Sequence, residues 1–121
     1  MLCTYLNSKH LYTICLIICC MKELTQELFE KEINQGIFVI DFWASWCGPC
    51  RAMAPVFESI SEQMPKVKFA KVNVEECQQI ARKYEISSIP CFIIFKNGKE
   101  VGRIVGGMDE ESFIEKINEF I

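Results

Sequence analysis

The chain has 121 residues, of which 50% are hydrophobic and 24% charged, and its formal net charge is -3. This length suits one compact domain and excludes a second one. The apolar content excludes a largely disordered chain, and the mild acidity offers no basic surface for nucleic acid. Eight cysteines are present. Because the long apolar runs can form a core, we interpret the cysteines as reactive groups rather than as a disulfide scaffold.

Residues 1–20 differ in composition from the rest of the chain and hold four of the cysteines. The apolar run Leu11–Met21 follows Lys9 and His10, and a charged helical pattern begins at Lys22. The run is shorter than the roughly 20 apolar residues of a membrane-spanning helix, and no small-residue cleavage site follows it. We expect 1–20 to be an extension upstream of a true start at Met21. An export signal or a lipid-modified segment remains open, and the domain itself is expected at 21–121.

The first half of that domain alternates helical and strand patterns. A helix is predicted between Thr25 and Gly36, with the apolar stripe Leu24, Leu28, Phe29 and Ile33. The nearly unbroken apolar run Ile37–Trp43 predicts a central strand that is buried on both faces. A second apolar stripe predicts a long helix over Cys50–Met64, with a kink at Pro55.

The second half continues the alternation and then changes direction. Val67–Val74 predicts a second buried strand, and Gln78–Tyr84 a short helix. The dipeptide Asn97-Gly98 predicts a tight hairpin turn, between the strands Cys91–Phe95 and Glu100–Val105. Asp109 is expected to cap a last helix, whose apolar stripe is Phe113, Ile114, Ile117, Phe120 and Ile121.

The chemically informative segment is Trp46-Cys47-Gly48-Pro49-Cys50. It lies where the central strand ends and the long helix begins, so the free amides of the helix start favour a thiolate at Cys47. The two-residue spacing allows Cys47 and Cys50 to form a reversible disulfide. A closed zinc site needs four ligands and a cysteine protease needs a histidine base. The only histidine is His10, so we expect neither.

The domain resembles the thioredoxin family over about 22–121. The matching landmarks, in chain order, are Asp41-Phe42-Trp43-Ala44-Ser45-Trp46-Cys47-Gly48-Pro49-Cys50-Arg51, Ala54-Pro55, Lys71-Val72-Asn73-Val74, Ile89-Pro90, Phe95-Lys96-Asn97-Gly98 and Val105-Gly106. The resemblance implies an α/β thioredoxin fold, a central mixed β-sheet flanked by helices. It also implies a protein disulfide reductase that serves as an electron donor in cell redox homeostasis.

The resemblance further assigns roles to individual residues. Cys47 would attack a substrate disulfide, and Cys50 would resolve the mixed disulfide. Asp41, an acid in an apolar strand, would accept the proton of Cys50 through water, with Lys71 nearby. Trp46, Gly48 and Pro49 would form the active-site loop. The docking groove for substrate would consist of Trp46, Ile89, Pro90 and Gly106, with a cis peptide bond at Pro90.

Two cysteines depart from the family pattern. Cys91 stands where the family usually has threonine, so a third thiol close to the active pair has to be weighed against a small buried hydrophobe, which we favour. Cys77 begins a short helix and is considered as an exposed oxidation site, although a bystander role is preferred.

The sequence and the resemblance together suggest the cofactor, the partners and the location. No nucleotide-binding glycine motif is present, so we expect no cofactor other than the redox disulfide, with electrons supplied by a separate thioredoxin reductase. Disulfide-containing proteins are the expected substrates of a cytoplasmic monomer without nucleic acid or membrane partners. The alternatives are an exported or membrane-tethered oxidoreductase with dedicated substrates, and a redox-inert binding module with the same fold.

Overall fold

The structure is a computed structural model and describes residues 21–121. The alternatives for the leader 1–20 therefore lie outside the described residues. The secondary-structure elements, in chain order, are β1 (Lys22–Glu23), α1 (Phe29–Ile33), β2 (Ile37–Trp43), α2 (Gly48–Gln63), β3 (Lys68–Asn73), α3 (Gln78–Lys83), β4 (Cys91–Lys96), β5 (Lys99–Val105) and α4 (Glu110–Phe120).

The strands form one mixed sheet in the order β1-β3-β2-β4-β5. β1, β3 and β2 run parallel to one another. On the other side of β2, β4 pairs antiparallel with β2, and β5 pairs antiparallel with β4. β2 is thus the central strand, and its nearly continuous apolar sequence matches burial on both faces. The predicted mixed sheet flanked by helices is confirmed.

Alternating side chains of the strands divide the core into two layers. Phe38, Ile40 and Phe42 pack on one face against residues of α1 and α3. Val39 belongs to the opposite face, where α2 and α4 cover the sheet. That second layer is rich in aromatic contacts, and the rings of Phe92 and Phe113 lie 4.7 Å apart in an edge-on arrangement.

The first predicted helix is only partly correct. The observed helix is five residues long and is preceded by the short strand β1, which the sequence pattern did not predict. Thr25 does accept a backbone hydrogen bond, from the Leu28 amide at 3.3 Å, but in the turn before the helix. Leu28, assigned to the inward stripe, is exposed, because a helix this short buries only Phe29 and Ile33.

The other predicted elements agree to within a few residues. The hairpin turns at Asn97-Gly98, where both residues adopt positive φ, as a two-residue turn requires. Asp109 caps α4, its carboxylate accepting a hydrogen bond from the Ser112 amide at 3.1 Å. Ile121, predicted as the end of the inward stripe, is exposed because α4 ends at Phe120.

Candidate active site

Cys47 and Cys50 form a disulfide at the N-terminal end of α2, after the short connection from β2, and their Cα atoms are 5.3 Å apart. Pro49 occupies the first turn of α2, where its missing N–H leaves no unsatisfied donor. Together with Ala44, the two cysteines form a small buried cluster that Trp43, Val74 and Ile89 partly cover. The sequence prediction that these two thiols meet at a helix start agrees with this geometry.

Cys47 is the residue that caps this helix. It has extended backbone angles, and the Cys50 amide donates a hydrogen bond to its Sγ at 3.1 Å. The same sulfur lies 4.0 Å from the carbonyl oxygen of Ile89. Because the helix dipole and the Cys50 N–H both point at this atom, negative charge on Cys47 Sγ would be stabilised.

Asp41 lies in β2, two residues before the strand ends at Trp43, and is only 1% exposed. Alternation along the strand places it on the face that α2 covers, between Val39 and Trp43. Its Oδ1 has no hydrogen-bond partner. Burial is the main cause that raises the pKa of Asp41 to about 7; Lys71 opposes the rise and Glu23 adds to it.

Lys71 lies beside Asp41 in the sheet, at the paired position of β3. Within residues 21–121 no ion pair of 4.0 Å or less joins Lys71 to Asp41. Instead, the Lys71 ammonium lies 4.7 Å from the centre of the Trp43 ring. Lys71 therefore acts on Asp41 through space, as a nearby positive charge rather than as a bonded partner.

The groove residues predicted from the resemblance meet at the same end of the sheet. Trp46 is 64% exposed, and its indole N–H donates to a carboxylate oxygen of Glu75 at 2.8 Å. The Ile89-Pro90 peptide bond is cis. Gly106, with φ of +90°, donates its amide to the Pro90 carbonyl at 2.9 Å. Gly106 is thus bonded to the Ile89-Pro90 segment, whose Ile89 carbonyl lies beside Cys47.

The two remaining described cysteines are buried and free. Cys91 begins β4 at the active-site end of the sheet, but its side chain packs in the layer opposite to Asp41. Its pKa is raised, chiefly by burial, which matches the preferred interpretation as a small hydrophobe. Cys77 is only 3% exposed, so the considered exposed oxidation site is wrong: its side chain packs against the Leu24 segment.

Two carboxylates near the site were not singled out from the sequence, Glu23 and Glu75. Each accepts a hydrogen bond from an active-site tryptophan, Trp43 and Trp46 respectively. Neither lies in a motif, and the pairs are 20 and 29 residues apart along the chain. No local pattern could have predicted them.

Within residues 21–121, no group of three or more His, Cys, Asp and Glu residues is placed to hold a metal ion. The helices described there are also too short or too polar to cross a membrane.

A dithiol–disulfide pair at a helix start, beside a cis-proline and after a strand that carries a buried carboxyl group, defines the class of thiol–disulfide oxidoreductases. Comparison with known proteins agrees. The Thioredoxin family model matches residues 20–119. A thioredoxin of Chlamydia pneumoniae is 42% identical over 98 residues, covering 81% of this chain and 96% of the relative. Thioredoxin-1 of Saccharomyces cerevisiae is 46% identical over 83 residues, covering 68% of this chain and 81% of the relative.

The structural comparison gives the same result. A Plasmodium falciparum thioredoxin superimposes with a TM-score of 0.78 at 33% identity, covering 84% of this chain and all of that one. The chain belongs to the thioredoxin family. It is accordingly a protein disulfide oxidoreductase.

Proposed function

We propose that this chain is a general protein disulfide reductase in which Cys47 is the nucleophile and Cys50 the resolving thiol. One observation carries the assignment of roles. Cys47 Sγ, not Cys50 Sγ, lies at the helix start and receives the Cys50 amide hydrogen bond. A thiolate at Cys47 is therefore stabilised more than one at Cys50.

The proposed cycle starts from the reduced dithiol. The Cys47 thiolate attacks one sulfur of a substrate disulfide, forms a mixed disulfide and releases the other substrate sulfur as a thiolate, which takes up a proton. Cys50 then loses its proton, and its thiolate attacks Cys47 Sγ. The substrate leaves with both sulfurs reduced. The two electrons it gained come from the Cys47–Cys50 dithiol, which is oxidised to the disulfide seen in the structure.

Asp41 is proposed as the acceptor of the Cys50 proton. It lies on the face of β2 that α2 covers, and Cys50 belongs to the first turn of α2. Its Oδ1 is unpartnered, and a pKa of about 7 allows it to take and release a proton near neutral pH. The positive charge of Lys71 favours the ionised form that accepts this proton.

Substrates are proposed to dock in the groove of Trp46, Ile89, Pro90 and Gly106. The exposed indole supplies apolar contact area, and the backbone of the cis-proline segment lies beside Cys47. A separate thioredoxin reductase would regenerate the dithiol. The free thiols of Cys77 and Cys91 suit a reducing compartment, which supports a cytoplasmic location.

Trapping the mixed disulfide tests the assignment of roles. Reduced Cys50→Ser, incubated with a disulfide-containing protein such as insulin, should accumulate a covalent adduct, because the resolving thiol is gone. Peptide mass spectrometry should find the new bond at Cys47, and the matched variant Cys47→Ser should form little adduct. An adduct at Cys50 in Cys47→Ser, formed as fast as the adduct at Cys47, would refute the assignment.

A further inference from the structure

Three charged residues occupy a single row across the strands β1, β3 and β2. β1 and β3 pair Glu23 with Lys71, and β3 and β2 pair Lys71 with Asp41. Paired residues of neighbouring strands project to the same face. The row therefore reads carboxyl, ammonium, carboxyl, with Lys71 in the centre and one acid on either side.

Trp43 contacts both Glu23 and Lys71. Its indole N–H donates to Glu23 Oε2 at 3.0 Å, while its ring faces the Lys71 ammonium at 4.7 Å. Glu23 is exposed as a residue, yet this hydrogen bond fixes its carboxylate on the side of Lys71 and Trp43. The single positive charge of Lys71 is therefore shared among three groups: the carboxylates of Glu23 and Asp41 and the ring of Trp43.

We propose that the negative charge of Glu23 opposes the positive charge of Lys71 at Asp41 and so strengthens the hold of the Asp41 carboxyl on its proton. This inference rests on the proposed role of Asp41 for its consequence in the reaction. In the proposed cycle, Glu23 moves the pH range over which Asp41 can accept the Cys50 proton to higher pH.

Several other ionisable groups surround the row. Burial has the largest effect on the pKa of Asp41, and the charges of Lys71 and Glu23 act on it as well. On the far side, Glu76 and Lys71 act on Glu23, and Cys77, at the start of α3, carries a thiol whose pKa burial raises. β4 contributes Cys91, whose thiol also has a raised pKa. The start of α2 contributes Cys50 and its capping residue Cys47.

The test is a titration of the Asp41 carboxyl carbon by NMR, on the oxidised full-length chain between about pH 5 and about pH 9. Glu23→Gln keeps an oxygen that can accept from Trp43 and removes the charge.

Neighbouring strands lie about 4.8 Å apart, so the two acids are separated by roughly 10 Å. Coulomb's law for the charge of Glu23 acting on Asp41, with an effective dielectric between about 20 and 80, then predicts a midpoint lowered by roughly 0.3 to 1.2 pH units.

Two further variants sharpen the test. Glu27→Gln removes the same charge from an exposed position outside the row and should leave the Asp41 midpoint unchanged. Lys71→Gln should move the midpoint upward, opposite to Glu23→Gln. An unchanged midpoint in Glu23→Gln, or an equal downward displacement in Glu27→Gln, would overturn the proposal.

The rate of mixed-disulfide resolution, measured over the same pH range, separates this proposal from the proposed function. A lowered midpoint accompanied by a resolving rate displaced to lower pH supports both. A lowered midpoint with an unchanged rate profile supports the effect of Glu23 on Asp41 and refutes Asp41 as the proton acceptor.

Discussion

Asp41 costs the folded protein free energy once it ionises. Burial raises its pKa from 3.8 to about 7, so between these pH values the folded chain holds a proton that the unfolded chain has released. Stability should therefore fall as the pH rises from about 4 to about 7, and stay at the lower level above that.

Asp41→Asn should remove this pH dependence. Relative to wild type, the oxidised variant is expected to gain on the order of 4 kcal/mol of unfolding free energy between about pH 4 and about pH 8. Urea unfolding at both pH values measures the change, with wild type unfolded in parallel. A difference between the two proteins that stays the same at both pH values would show that Asp41 titrates normally.

The same substitution should slow the reaction at one step only. Asn preserves the shape of Asp41 but cannot accept a proton, so resolution by Cys50 should slow by roughly 10- to 100-fold near pH 7. Formation of the mixed disulfide by Cys47 should keep its rate. Rapid-quench analysis of adduct formation and decay separates the two steps, and an unchanged decay rate would exclude Asp41 from proton transfer.

Cys91 is expected to be dispensable. Its side chain packs in the layer opposite to Asp41, and its raised pKa makes it a poor nucleophile at neutral pH. Cys91→Thr should keep reductase activity within about twofold of wild type and change stability by less than about 2 kcal/mol. Loss of most activity under reducing conditions, in a variant that remains folded, would make Cys91 a participant.

The packing of β5 against α4 depends on the absence of a side chain at Gly102. A Cβ built at this position would overlap the ring of Phe120. Gly102 lies beside an irregularity in the β4–β5 pairing, where Ile94 pairs with Gly102 but Phe95 pairs with Glu100. This leaves Val101 as an extra residue, as in a bulge.

Gly102→Ala should therefore destabilise the chain by roughly 1–3 kcal/mol through overpacking. Removing the ring in the background of the first change, by Phe120→Ala, should cost less than the same change in wild type. A double-mutant cycle measured by urea unfolding gives the coupling. Strict additivity would show that the two residues do not restrict each other.

The length of an element's apolar pattern decided how well the sequence predicted it. Ile37–Trp43 was predicted with correct bounds because a strand buried on both faces leaves a continuous apolar run. The two-residue strand β1 has no such pattern. It forms because β3 offers it a free edge, as the Leu24 amide bonding to the Lys71 carbonyl at 2.8 Å illustrates.

The site was predicted to the extent that its residues follow one another or match family landmarks. The Cys47–Cys50 turn and the cis peptide at Pro90 were predicted in this way. Glu23 was missed, since its contact with Trp43 requires knowing that β1 joins the sheet beside β3. The burial of Cys77 was missed for a similar reason: it depends on how α3 packs.

We expect residues 21–121 to fold and function without the residues before them. Within the part of the chain that the structure describes, Met21 already packs against the core layer beneath α2 and α4. A chain that begins at Met21 should fold and reduce disulfides at the rate of the full chain, as followed by circular dichroism and insulin reduction. A chain of this length that fails to fold would place the boundary before Met21.

The central claim is that the Cys47–Cys50 pair carries electrons to protein disulfides. Insulin reduction by dithiothreitol, followed by the turbidity of the precipitating chains, tests it most directly. The wild-type chain and Cys91→Thr should accelerate precipitation, whereas Cys47→Ser and Cys50→Ser should stay near the uncatalysed rate because each lacks one of the two sulfurs. Acceleration by Cys47→Ser equal to that of wild type would contradict the account.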